Sequence, residues 1–168
     1  MSDIKPETEY AARKLIAGVE RIIGAVEYCW LLSGAERGIR ARPMGRILAQ
    51  PGEDELTIRF LTDGRSEKAA DIRRSQDVTL IFQKEAESAY VSLQGTARLN
   101  ETKEYVQALW KEAYGRYFPT TGDRAHAAFI EVEIVRMELW VRGLTPEPFG
   151  VRPTILTREP DGTWVCTK

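Results

Sequence analysis

The chain has little of what builds metal centres and disulfide frameworks. Two cysteines, Cys29 and Cys166, and one histidine, His126, are spread over 168 residues. Two distant cysteines make neither a disulfide framework nor a zinc site. A lone histidine without convergent Cys, Asp or Glu spacing is no ligand set, so no metal is expected. Cys29 lies in an apolar run and reads as a small core residue. Charge of one sign is also missing. The 24 basic and 25 acidic residues leave a formal net charge of −1, so bulk electrostatics point to neither nucleic acid nor an anionic membrane as partner. No apolar run approaches the ~18 residues of a membrane span. The opening residues, Met1-Ser2-Asp3-Ile4-Lys5-Pro6, carry no secretory pattern. The expectation is a reduced, cytoplasmic protein.

What is present suits a single globular domain with a real core. Residues 8–23 place Ala11, Ala12, Leu15, Ile16, Val19, Ile22 and Ile23 at helical spacing, with Thr8 as cap. Basic residues are few there, so a core-covering helix is expected rather than a membrane-surface one. Residues 25–32 and 39–50 read as strands joined by a hairpin connection. In the second, Pro43 cannot donate to a ladder and Gly45 has no side chain to pack, which predicts an edge or a bulge. Arg40, Arg42, Met44 and Arg46 share one parity, a cationic face whose plain reading is a solvated edge strand. Further strands are expected over 56–61, 78–82, 89–99, with a bend at Gly95, and 127–141. Helices are expected over 66–75 and 101–114. His126 follows an aromatic-rich loop and reads as a solvated or capping residue. Residues 142–168 form a proline-bearing tail with a weak hairpin over 154–157 and 163–167, beyond a domain spanning 1–141. Hairpin spacing dominates, so the predicted fold is mainly β with flanking helices, a six-stranded antiparallel split β-barrel. So small a barrel is filled by its own side chains, which puts a ligand outside it or between two copies.

The central stretch is residues 56–68. Leu56, Ile58 and Phe60 alternate with Thr57 and Arg59 as in a half-buried strand. Asp63-Gly64 signals a turn with positive φ at the glycine, and Ser66 is a good N-cap. Arg65 and Lys68 then flank a helix start, where the macrodipole already presents positive charge. The residues alone favour a solvated turn in which Lys68 pairs with Asp71. The sharper alternative is a seat for a phosphate.

Three places in order resemble the flavin-binding split-barrel superfamily that includes pyridoxamine 5′-phosphate oxidase, and more narrowly its general stress protein 26-like group. They are Arg42-Pro43-Met44-Gly45, Phe60-Leu61-Thr62 with Ser66-Glu67-Lys68, and Glu138-Leu139-Trp140. Leu109-Trp110 and Tyr117-Phe118-Pro119 look like the narrower group. The resemblance implies a homodimer with flavin mononucleotide (FMN) at the subunit interface, and an oxidoreductase of unknown substrate. A non-catalytic flavin carrier or sensor, FAD, the deazaflavin F420 and haem are the alternatives, with histidine-ligated haem disfavoured by the single histidine. By position, Arg42, Pro43, Met44 and Gly45 would follow the isoalloxazine edge. Phe60 and Leu61 would lead the chain to Thr62, Ser66 and Lys68 at the phosphate, with Arg65 as helper. Trp140 would reach the partner's flavin, and Trp110 is an aromatic neighbour or a packing residue. After Trp140 comes Val141-Arg142-Gly143-Leu144-Thr145-Pro146, without the histidine of the pyridoxamine phosphate oxidases. Membership of that enzyme group is therefore not expected.

Overall fold

The computed structural model describes residues 6–54 and 56–167. Helix α1 (Pro6–Ala25) is followed by β1 (Tyr28–Gly34), β2 (Ile39–Gly45) and β3 (Ile58–Asp63). Then come α2 (Glu67–Arg74), β4 (Asp77–Lys84), β5 (Ala89–Asn100) and α3 (Lys103–Leu109). The chain ends with α4 (Thr121–Arg124), β6 (Ala127–Val141), β7 (Thr154–Arg158) and β8 (Trp164–Thr167). All strand pairs are antiparallel.

The sheet runs β2-β1-β4-β5-β6, and β6 then divides its far edge. Its first half pairs with β3, from Ala127↔Asp63 to Val132↔Ile58. Its second half pairs with β7, from Arg136↔Thr157 to Leu139↔Thr154. A single bridge, Ile47↔Arg59, joins the chain beyond β2 back to β3. Six strands thus close a cycle, and β7 and β8 add a hairpin to it. The sheet therefore has eight strands rather than the six expected. The difference comes from the segment beyond Val141, where Leu156 is fully buried in the core and α1 packs on β8.

Alternation dictates the core. Leu31, Phe60, Leu80, Phe82, Leu93, Ile130 and Met137 are fully buried, and each such side chain contributes about 1.5–3 kcal/mol relative to exposure. Helix α1 lays Ala12, Leu15, Val19, Ile22 and Ile23 on this cluster. It begins at Pro6, so Thr8 lies inside its first turn rather than at the cap. Cys29 is buried as expected; burial pushes its thiol up to about 12, against the Arg46 charge and a backbone hydrogen bond.

The bend expected at Gly95 is a register shift in the β5–β6 pairing between Gln94 and Gly95. A side chain there would overlap the Glu133 carbonyl oxygen. Gly64 differs from its expectation. It is not among the glycines of positive φ; a Cβ there would collide with the Glu101 carboxylate. Helix α3 is shorter than the 101–114 expected. It stops at Leu109 because Trp110 turns to extended backbone, φ −65° and ψ 133°, and its ring packs edge-on against Tyr114 and Phe118.

Candidate ligand groove

Between the β2–β3 edge and the segment joining α3 to α4 lies a groove of about 610 Å³, within the ~300–1,000 Å³ typical of small-molecule sites. One wall is the backbone from Pro43 to Leu48, continued by Leu61 and Thr62 of β3 and Lys68 of α2. The other wall is built from Lys111, Tyr114, Arg116, Tyr117 and Phe118.

Edge-strand chemistry makes the first wall. Pro43 has no N–H to donate. A Cβ at Gly45 would sit 3.3 Å from the Tyr28 ring, so the backbone is left bare at the groove. Below this wall, Ser66 caps α2 by accepting from the Ala69 amide at 3.2 Å. Its hydroxyl also lies 3.3 Å from the Thr62 hydroxyl. Two side-chain hydroxyls are thereby gathered at the start of the helix whose first turn carries Lys68.

Lys68 is the group that stands out. It is half-buried, and burial, then the nearby Arg42 charge, push its ammonium below the ordinary value. Among the described residues it has no carboxylate partner. The obvious one, Asp71, is taken. That buried carboxylate accepts from Arg42 at 2.5 Å and Arg74 at 2.7 Å, with Arg40 at 3.4 Å. Burial works against its ionisation, but the arginines hold its pKa below the ordinary carboxylate value. A partly desolvated cation in the first turn of a helix, lining the same groove as Thr62, is a place where an anion lowers the free energy.

The second wall rests on a small core of its own. Val106, Phe118, Ala127 and Phe129 are buried, with Ile47, Leu61, Trp110 and Tyr114 packed on them. Arg124 lies 4.0 Å from the Trp110 ring centroid.

Of the residues expected at a site, Pro43, Met44, Gly45, Leu61, Thr62 and Lys68 line the groove, and Ser66 adjoins it through Thr62. Four are placed elsewhere. Arg42 turns away to Ser33 and Asp71. Phe60 is fully buried in the barrel. Trp110 supports the second wall from behind. Trp140 sits opposite Tyr90 on β5. Thr62 pairs with Ala128, so Trp140 is twelve residues further along β6, about 40 Å of strand at ~3.3 Å per residue. Arg65 is held by Asp63 at 2.6 Å rather than facing the groove. The exposed His126 uses its carbonyl, which accepts the Gly64 amide at 2.8 Å. Sequence reasoning did not find Lys111, Tyr114 and Arg116, whose only signal was the aromatic and basic run 110–118.

A closed six-strand cycle with a groove on its outer edge is a split barrel. The chain belongs to the pyridoxamine 5′-phosphate oxidase-like family, whose model matches residues 14–146. No curated protein matches it. Among solved structures it is similar to a pyridoxamine 5′-phosphate oxidase-related, FMN-binding protein from Nostoc punctiforme. That match has TM-score 0.70 and 16% identity, over 92% of this chain and 94% of that one. A Clostridium acetobutylicum protein related to general stress protein 26 matches with TM-score 0.65 and 14% identity, over 77% and 89%. General stress protein 26 from Bacillus anthracis matches with TM-score 0.61 and 16% identity, over 74% and 92%. At these identities the likeness is one of fold.

Proposed function

We propose that this protein is a flavoprotein that holds FMN along the groove. The observation that carries this reading is Lys68, a half-buried ammonium that lines the groove with Thr62, whose hydroxyl lies 3.3 Å from that of Ser66, and that has no carboxylate partner among the described residues. In this reading Lys68, Thr62 and Ser66 take the phosphate. The bare backbone of Pro43 and Gly45 runs beside the ring system, and Leu61 and Phe118 exclude water from the floor. Arg42 acts from behind Lys68, its charge already spent on Asp71. A bound flavin supplies electron transfer; the chain supplies binding, orientation and electrostatics.

The reading extends to a flavin-dependent oxidoreductase acting as a homodimer. In the dimer Trp140, which lies opposite Tyr90 at the far end of β6 from the Thr62 pairing, would meet the partner's groove. Oxidation of pyridoxamine phosphate itself is not proposed. The segment after Trp140 carries no histidine. It closes the strand instead: the Thr145 hydroxyl donates to the Val141 carbonyl at 3.0 Å and accepts its amide at 3.1 Å.

The test is the visible spectrum of purified protein, with chromatography of any released chromophore, then FMN titration of Ser66→Ala/Lys68→Ala. The wild type is expected to carry FMN near one per chain. The double variant is expected to bind it roughly 10- to 100-fold more weakly, since charge-assisted hydrogen bonds contribute about 1.5–3 kcal/mol each. Unchanged affinity in that variant sinks the phosphate seat. Release of FAD or a deazaflavin would replace the cofactor. Flavin that stays oxidised under NADH and NADPH would move the reading to a flavin carrier.

A further inference from the structure

In β3, Ile58 and Phe60 turn into the main core, so Arg59 and Leu61 share the opposite face. Leu61 lines the groove. Arg59 stands two residues back, outside the groove, with its side chain only 11% exposed. Its two terminal nitrogens donate to the Glu53 carboxylate, each at 2.7 Å. Its Nε donates at 2.7 Å to Glu131, its cross-strand neighbour on β6, and lies 3.2 Å from the Tyr105 hydroxyl of α3. That hydroxyl donates to the same Glu131 oxygen at 2.8 Å. The Arg59 carbonyl accepts the Ile47 amide at 2.8 Å.

These partners belong to the two walls of the groove, yet none of Glu53, Tyr105 and Glu131 lines it. Glu53 closes the turn that follows Ile47 and Leu48 of the first wall. Tyr105 is on α3, whose end at Leu109 leads directly into the second wall, Lys111 to Phe118. The plain alternative is a buried ion cluster that stabilises the sheet. Around Arg59, however, β3 is already paired to β6 from Asp63 to Ile58. What the guanidinium adds are bonds to chain outside the sheet. The second wall also rests on a core separate from that of the barrel, so barrel packing does not fix its place.

Resting on the flavin reading of the same groove, we infer that Arg59 is a positioning residue whose guanidinium couples the two walls and sets their spacing. A planar fork suits this task, because its terminal pair faces Glu53 while Nε faces Glu131 and Tyr105. The links compete for one fork. With Glu53 neutral, the guanidinium turns toward Glu131 and displaces the Tyr105 hydroxyl. With that hydroxyl gone, Glu131 draws the fork away from Glu53. A ligand leaves when the walls part, so the clasp governs release more than capture.

The test uses Glu53→Gln and Tyr105→Phe. The second removes one hydroxyl while the ring keeps its place, 6.2 Å from the Phe129 ring. Amide hydrogen exchange is followed by mass spectrometry, and FMN release by the return of flavin fluorescence on dilution. The decisive signal crosses the groove. Glu53→Gln is expected to speed exchange in residues 103–118, and Tyr105→Phe in residues 46–54, with amides around Leu93 and Leu139 unchanged. Each variant is expected to release FMN roughly three- to tenfold faster, the effect of one lost hydrogen bond. Exchange that quickens only on the mutated side overturns the inference. So does a rise shared equally by Leu93 and Leu139, which marks a plain stabiliser. Wild-type release rates in both variants also overturn it. If the wild type takes up no FMN, the flavin reading falls, and the exchange experiment alone decides whether Arg59 couples the walls.

Discussion

Asp71 shows how little of an ion network spacing alone reveals. It has Lys68 three residues before it and Arg74 three residues after, and both are helical neighbours. The fold brings Arg42 across from β2 and takes Arg74 as well, and Lys68 is left for the groove. Asp71→Ala is expected to cost roughly 1–3 kcal/mol, the range for orphaning buried charged hydrogen-bond partners, read as a lower midpoint in urea at unchanged slope. Glu53 makes a second residue-scale case. It receives both terminal nitrogens of Arg59 at 2.7 Å. That hydrogen bonding, with the Gln50 amide, holds its carboxyl at about 2 instead of 4.5. A carboxyl depressed by folding contributes stability that is full above its unfolded value and is lost as pH falls through the folded one. Glu53→Gln is therefore expected to lower the melting temperature at pH 7 and to flatten its fall between pH 4.5 and pH 2. A melting curve whose pH dependence matches the wild type in that window would exclude this contribution.

At the scale of elements, local chemistry was largely legible. Ser66 announces the start of α2, and Ser66→Ala alone is expected to cost about 1 kcal/mol of stability, measurable by denaturant unfolding. Pro43 and Gly45 announce an edge strand, and Gly95 announces a register shift, because each departs from what a ladder tolerates. The parity of Arg40, Arg42 and Met44 was visible too, but not its direction. The sequence suggested solvent, whereas Met44 is buried and the two arginines face α2. Period alone says which residues share a face, and only the neighbouring element says what that face meets. For the same reason the second groove wall was not legible, since Lys111 and Arg116 bracket a 3-10 helix, Glu112–Arg116, too short to show a period. The final hairpin was underrated because its strands are short and weakly patterned. With Leu156 in the core, removal of residues 142–168 is expected to uncover the β6 backbone from Arg136 to Leu139. The shortened chain should then enter the insoluble fraction on expression; a soluble, cooperatively melting product would contradict this.

The whole molecule is organised by β6, which touches β5 along one edge and β3 and then β7 along the other. If two chains share two flavins, light scattering at micromolar concentration is expected to give twice the chain mass of 19.0 kDa. A monomer would remove Trp140 from any groove. The handover on β6 has a further consequence. Pairing with β3 ends at Val132, pairing with β7 begins at Arg136, and the shift at Gly95 leaves out Val135 on the other edge. Val135 is thus the one residue in the middle of this strand with no registered partner on either side. It is also 44% exposed. In deuterated solvent the strand should keep two clocks. Amides around Val132 and Leu139 would exchange only with deep opening of the sheet, while the amide of Val135 exchanges early, a fast tick in an otherwise slow strand.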